Sequence, residues 1–559
     1  MDRCRSQPNH EPSDRLSKLG DRVLGNILSF LPAKEAARGA LLSSRWRHVF
    51  AAVHTVALEE PESPVTDPDD NRSYSPGWAS PPDPNAPPPF PSVVSAAIMA
   101  RQRRRGAAPL RALRVAMEGY GRYDRVMVDQ WVSYAVQQAD AAEGLDLELR
   151  LYCRRLLCAR YDHPEHRGHE RYREPASEEE EEHLGSNSKS DDDGSVVSSD
   201  DEKDRFSYRN RWAVPPYKVP RLLFSCTELR SLSVSTCRLA PPPDAAFTLP
   251  SLVALRLSHV LDAGADVERL VAGCPRLADL TLEACDAVTA LDITGAAARL
   301  RRLALRCCHS LATVAVDSSE LRAFEYRGAV PDASFLAVRG GCGRVAYAKI
   351  DICGAEAASE SEELTNLRKL LQLFASAKHL HLESARLGSG FDKDVPTVSL
   401  PRFTSLRRLE MRGRLPDDDD AAVGVLAAMS RIVERCPSLE ALSLVFHPQR
   451  YDHDDLGYYC FSEEELLDAH HLSYNPHSVL AVPASAAIPC LRSRVKEINL
   501  VHYQGGTAQR TLAKFLLGNA PVMEKLWCEF AEGPLWTQTQ LMQEIQGWVR
   551  NKSAQTHFA

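Results

Sequence analysis

Cys153, Cys158, His163 and His166 follow one another as C-x4-C-x4-H-x2-H, with His169 close behind, and are the chain's first candidates for holding a metal. Structural zinc usually takes its cysteines from tighter knuckles on folded turns. Here Cys153 closes an alternating run, LDLELRLYC, where a thiol can be buried without a metal, and the histidines open onto a polar stretch. No metal and no cofactor are expected. A second group, Cys307, Cys308 and His309 in LALRCCHSL, has the residue types of a thiol nucleophile and its base. Cys237 and Cys285 hold the same place after other strand-like runs, so packing is the expected role. The chain has no Gly-Lys pair, hence no Walker-type phosphate loop, and neither H-E-x-x-H nor G-x-S-x-G occurs. No catalytic residue is expected.

The elements around these residues explain them better than chemistry does. LRSLSV begins at Leu229, LVALRL at Leu252, LADLTL at Leu277, LRRLAL at Leu300 and LRAFEY at Leu321, in steps of 23, 25, 23 and 21 residues. Further units start at Leu406, Leu439 and Val495, with a fragment KHLHLES from Lys378. That period is the one of leucine-rich repeats, in which stacked units bury a ladder of short parallel strands that no single unit could hide. Helical stretches ending in Cys-Pro precede two of the strands, at Cys274 and Cys436. The fold class expected is therefore an α/β repeat, a leucine-rich-repeat solenoid with a curved parallel sheet and outer helices, preceded by a small all-α module. Longer gaps in the series predict irregular units or inserted loops, such as 448–468.

The N-terminal module is read from LGDRVLGNILSFLPAKEAARGALLSSRWRHVF, residues 19–50. Leu19, Val23, Leu24, Ile27, Leu28 and Leu31 fall on one helical face, and Pro32 ends that helix. Two shorter helices fit the rest. A segment this size rarely buries enough surface to fold alone, so it needs something to pack on.

Composition divides the 559 residues into a helical module at 14–57, a proline-rich linker at 58–91, the start of the repeat domain at 92–162, a disordered acidic insert at 163–211, irregular repeats at 212–490 and a C-terminal repeat region at 491–559. The linker is expected to hold the module apart from the array. Between Ser177 and Asp204 lie twelve acidic residues and two lysines, a net of −10, so the rest of the chain sums to +2 against a total of −8. A nearly neutral body with 7% aromatic residues offers no platform for nucleic acid. The basic run RQRRRG from Arg101 reads as the solvated end of a helix. No apolar run is long enough to span a bilayer and the first residues are polar, so no membrane is expected and the cytosol or the nucleus is.

Residues 14–50 resemble an F-box, the helical module that docks on the Skp-type adaptor of SCF ubiquitin ligases; ILSFLP, AKEAARGALLS and SRWRHVF carry the likeness. VDQWVSYA before LDLELRL, then LLFSCTELRSLSV and LPSLVALRLSHV, resemble plant F-box proteins with leucine-rich repeats, and residues 494–527 resemble their C-terminal FBD-type segment. One departure stands at Gly20, where the family usually has proline. The resemblance implies a non-catalytic substrate-recognition subunit. Leu19, Gly20, Val23, Ile27, Leu28, Leu31, Pro32, Leu41 and Trp46 would face the adaptor, and through it a cullin and a RING subunit. The repeats would hold an unknown target protein through polar positions between the ladder leucines: Arg230, Ser233, Arg256, Thr281, Glu283, Arg306, Glu325, Arg407 and Glu410. The alternative is a leucine-rich-repeat scaffold that no longer recruits a ligase.

Overall fold

The computed structural model describes residues 18–39, 46–61, 88–102, 108–121, 123–151, 216–242, 247–295, 299–317, 320–353, 361–391, 399–415, 419–447, 480, 488–531 and 533–559. Their dominant feature is a sheet of fifteen strands in strict chain order, all parallel. The strands are β1 (Thr55–Glu59), β2 (Ala112–Met117), β3 (Leu145–Leu151), β4 (Leu229–Ser235), β5 (Ala254–Ser258), β6 (Asp279–Glu283), β7 (Arg302–Arg306) and β8 (Ala323–Gly328). They continue as β9 (Tyr347–Ile352), β10 (His379–Arg386), β11 (Arg408–Arg414), β12 (Ala441–Phe446), β13 (Glu497–Tyr503), β14 (Lys525–Phe530) and β15 (Gln555–Phe558).

Register turns the repeat into a core. Leu232, Leu255, Leu280, Leu303, Phe324, Ala348, Leu380, Leu409, Leu442, Ile498 and Leu526 pair one after another across β4 to β14. A second column two residues on runs from Val234 to Cys528. Because side chains alternate along a strand, both columns point to one face and every residue between them to the other. The inner columns are buried throughout. The helices α5 (Gly264–Ala272), α6 (Ser361–Leu373), α7 (Asp419–Glu434), α8 (Pro489–Ser493), α9 (Thr507–Asn519) and α10 (Leu535–Trp548) contribute buried residues to the same core, as where Phe374 stacks on Phe324 at 4.9 Å. Shorter units have no room for a helix. There Ala290–Asp292, Thr313–Asp317 and Leu336–Arg339 form a second small parallel sheet instead.

The Cys-Pro corners are hydrogen-bonded as well as small. Cys274 Sγ donates to Leu270 O and Cys436 Sγ to Ile432 O, each at 3.1 Å, satisfying a carbonyl at the end of its helix.

The N-terminal module departs from expectation. It contains α1 (Asp21–Leu28), α2 (Ala33–Arg38) and a 3-10 helix at Trp46–Ala52. The expected boundary at 57 falls inside β1, which is the first strand of the solenoid sheet and pairs with β2. The expected linker likewise ends inside α3 (Phe90–Gln102), which packs on the 3-10 helix. The module is thus built onto the end of the array rather than held off it, because Val49, Val53 and Val56 belong to the continuous hydrophobic core.

Candidate interaction surfaces

Helix α1 is amphipathic, and its two faces are used differently. Leu24, Gly25 and Leu28 are buried. Gly25 lies so close to the 3-10 helix that an added Cβ would stand 2.3 Å from Ala52 O, so the two helices touch backbone to backbone there. Ser29 locks the seat: its hydroxyl donates to Gly25 O at 2.7 Å and accepts from the His54 N–H at 3.0 Å. The other face is open. Val23 is 46% exposed, Ile27 43%, Leu31 42% and Phe30 88%. Four bulky apolar side chains within nine residues, beside an inner face already filled, form the kind of patch that marks an interaction site.

This splits the sequence-derived set. Val23, Ile27, Leu31, Gly20 and Pro32 lie outward together, and Leu19 is half-buried against the core. Leu28 and Trp46 do not join them; both are buried in the chain's own core, because the 3-10 helix covers that side of α1. Leu41 lies outside the described residues. Phe30 was missed; it follows Ile27 by three residues, the spacing that puts it on the same side. At Gly20 the backbone has φ −69° and ψ 153°, values that proline also adopts, and an added Cβ would meet nothing. The departure from the family's proline therefore leaves the shape of the helix start unchanged.

Arg101 departs from the reading of the basic run, whose other arginines lie outside the described residues. It is fully buried, and its guanidinium donates to Val53 O at 2.8 Å, Ala108 O at 2.6 Å and the Tyr134 hydroxyl at 2.6 Å. Burial lowers its pKa, against the favourable contact with Tyr134. The side chain pins the module's Val53 to α3, to the strand leading into β2 and to α4 (Arg125–Gln137). A cleft of about 770 Å³ runs alongside, between α1, the 3-10 helix and the start of the array, and Arg111 pairs with Asp140 in it at 3.0 Å.

The helix-free face of the sheet carries the other candidates. Its middle column reads Ser233, Arg256, Thr281, Ala304, Glu325, Lys349, His381, Glu410, Ser443, Asn499, Trp527 and His557. Five of the nine expected target-contact residues are on it, and Glu283 and Arg306 occupy the next outward column. Arg230 and Arg407 do not: Arg230 falls at the register shift that opens β4, and Arg407 stands one residue before β11, where it meets Glu440 at 3.5 Å.

The middle of this face is held by its own charges. Glu283 takes a hydrogen bond from Arg256 at 2.6 Å, and Glu325 takes two, from Arg302 at 2.5 Å and Arg306 at 2.7 Å. Arg327 pairs with Asp351 at 3.3 Å, Lys349 with Glu383 at 3.2 Å, and Arg412 with Glu410 at 2.7 Å. Glu283 and Glu325 are buried beneath these arginines. They hold the strands' charges together rather than presenting a carboxylate to a partner, which corrects their expected role. Burial alone would raise Glu383, but the His381 ring, 3.6 Å away, and the Lys349 ammonium at 3.2 Å outweigh it and hold the carboxyl at about 2.

Cys307 and Cys308 follow β7 as expected, Cys307 buried with φ +52°. A hydrogen bond with Cys285, together with burial, raises the Cys308 thiol far above its usual range, the reverse of an activated nucleophile. Among the described residues no group of three or more His, Cys, Asp or Glu side chains is placed to hold a metal, and Cys153, Cys158, His163 and His166 lie outside them. No helix among those residues is long and apolar enough to cross a membrane.

Comparison with known proteins agrees with this architecture. Residues 215–474 match the family model described as At1g61320/AtMIF1, LRR domain. Three Arabidopsis thaliana proteins share short stretches with the chain. F-box/LRR-repeat protein At3g59200 is 40% identical over 65 residues, 11% of this chain and 12% of its own length. F-box/LRR-repeat protein At2g42720 is 50% identical over 46 residues, and F-box protein At3g59000 49% over 47, each covering 8% of this chain and 10% of the relative. The chain thus aligns with about a tenth of each relative's length.

Proposed function

We propose that this plant-type F-box protein with leucine-rich repeats is the non-catalytic substrate-recognition subunit of an SCF-type ubiquitin ligase. The outward face of α1 docks on a Skp-type adaptor, and through it on a cullin and a RING subunit; the solenoid binds the target. The observation that carries the reading is the divided helix: Leu24 and Leu28 complete the chain's own core while Val23, Ile27, Phe30 and Leu31 remain for a partner. An amphipathic helix laid into a groove is a recurring recognition mode. Catalysis by such a receptor is proximity, since holding a target lysine near a charged conjugating enzyme raises its effective concentration. The FBD-type likeness of residues 494–527 belongs to the same proposal, as does a place in the cytosol or nucleus.

The experiment is a pulldown of the full chain with a purified Skp-type adaptor, beside an Ile27→Asp, Leu31→Asp double variant. Both positions are exposed, so two carboxylates there disturb the interface and not the fold. Retained binding by a folded double variant rejects this face, and absence of wild-type binding rejects recruitment and leaves the scaffold reading.

A further inference from the structure

The acidic and basic residues of the middle column stop at Glu410. Beyond it the middle column becomes Ser443, Asn499, Trp527 and His557, lining a cleft of about 380 Å³ together with Glu497, Val501 and Lys525. The Trp527 indole is 44% exposed, on a middle column made mostly of polar side chains. The His557 ring lies beside it, centroids 6.1 Å apart and tilted by 32°. Glu497 sits on the neighbouring strand, two residues before the one that pairs with Trp527. It accepts one hydrogen bond, from Asn499 Nδ2 at 3.1 Å, and has no basic side chain at ion-pair distance among the described residues. By contrast Glu148, Glu283, Glu325, Asp351, Glu383 and Glu410, on the same face, each have one.

We infer that this C-terminal cleft is where the solenoid grips its target, and that it takes a basic segment by laying one arginine side chain over Trp527 and against Glu497. The inference rests on the receptor reading above. A guanidinium stacks on an indole face and pairs with a carboxylate through two parallel hydrogen bonds, so one residue type satisfies both groups at once. Lys525, across the ladder from Glu497, is also without an ion pair among the described residues, and would favour an acidic partner. It is exposed to water, which already solvates its ammonium, whereas Glu497 is half-buried and gains more from a counter-charge. Aromatic and arginine anchors dominate the energetics of protein interfaces. The middle of the face offers a partner far less, because each charge there would first have to leave its present pair.

The test is selection from a displayed library of short random peptides on the full chain, repeated with Trp527→Ala, Glu497→Gln and Lys525→Ala. Circular dichroism and melting check that each variant folds, as expected for positions that are exposed or, at Glu497, half-buried. The wild type should enrich peptides for arginine, and the best of them should lose about tenfold or more in affinity to either of the first two variants. Three results overturn the inference: no enrichment, arginine enrichment indifferent to both variants, or enrichment of acidic residues that Lys525→Ala abolishes. No adaptor enters this assay, so its failure leaves the docking face of α1 untouched. Failure of the adaptor pulldown leaves the peptide result standing.

Discussion

The outward face of α1 and the middle of the open sheet face are both solvent-facing, but only one of them is free. On the sheet, Arg256, Arg302, Arg306, Arg327, Lys349 and Arg412 are already paired with carboxylates on the same or neighbouring strands. On the helix and the turn that follows it, Val23, Ile27, Phe30 and Leu31 are exposed beside an inner face that is full. A polar surface that satisfies itself is structure, whereas an apolar one left open is an interface in waiting. Exposure alone does not tell the two apart; the partners of each side chain do.

Substitutions on the two faces of α1 should break the comparison most sharply. Leu28→Asp puts a carboxylate into the core and should cost about 3–5 kcal/mol, seen as loss of the N-terminal module's helical signal and a lowered melting temperature. Ile27→Asp, one residue earlier, should change stability by no more than about 0.5 kcal/mol while weakening adaptor binding. Equal destabilisation by both would mean that the faces do not differ.

Next in size is Arg101→Met. It leaves Val53 O and Ala108 O without their buried donor and should cost about 2–4 kcal/mol. Protease cleavage between the module and the array should accelerate with it. Removing a counter-charge from the sheet should cost less. Glu325→Ala leaves Arg302 and Arg306 facing each other, partly open to water, at about 1–3 kcal/mol in denaturant melts.

The ion-paired region also predicts an acid response. Glu383 is held at about 2 in the folded chain, below its ordinary 4.5. A depressed carboxyl contributes stability that is fully present above the unfolded value and lost as pH falls through the folded one. Stability should therefore decline between about pH 4.5 and 2, and Glu383→Gln should flatten that part of the profile. The smallest effect is expected at Gly20→Pro, where the backbone already suits proline: a gain of about 0.5 kcal/mol from a less free unfolded chain, read in thermal melts.

What was legible in the sequence was the repeat, because leucines at L-x-x-L-x-L spacing report strand direction and burial directly. Units lacking that spelling escaped. β9 carries Ala348 where its neighbours have phenylalanine and leucine, and β1 and β15 stand at the ends with too few residues for a period to show. Which side of an amphipathic helix the chain uses itself could not be read from spacing, so Leu28 and Trp46 were grouped with residues they do not accompany. Pairing partners are equally invisible: nothing near Glu325 in the sequence says that Arg302, 23 residues away, will cover it. The exposed place of Trp527 carried a sequence signal, since KLWCEF sets tryptophan at the outward middle position of a ladder strand.

The central claim is that the outward face of α1 recruits a Skp-type adaptor, and the most direct measurement is the dissociation constant of the purified full chain for that adaptor. The account predicts tight binding by the wild type and by Trp527→Ala. It predicts none by a folded Ile27→Asp, Leu31→Asp variant. Unchanged affinity in that double variant, with its circular dichroism intact, would contradict it.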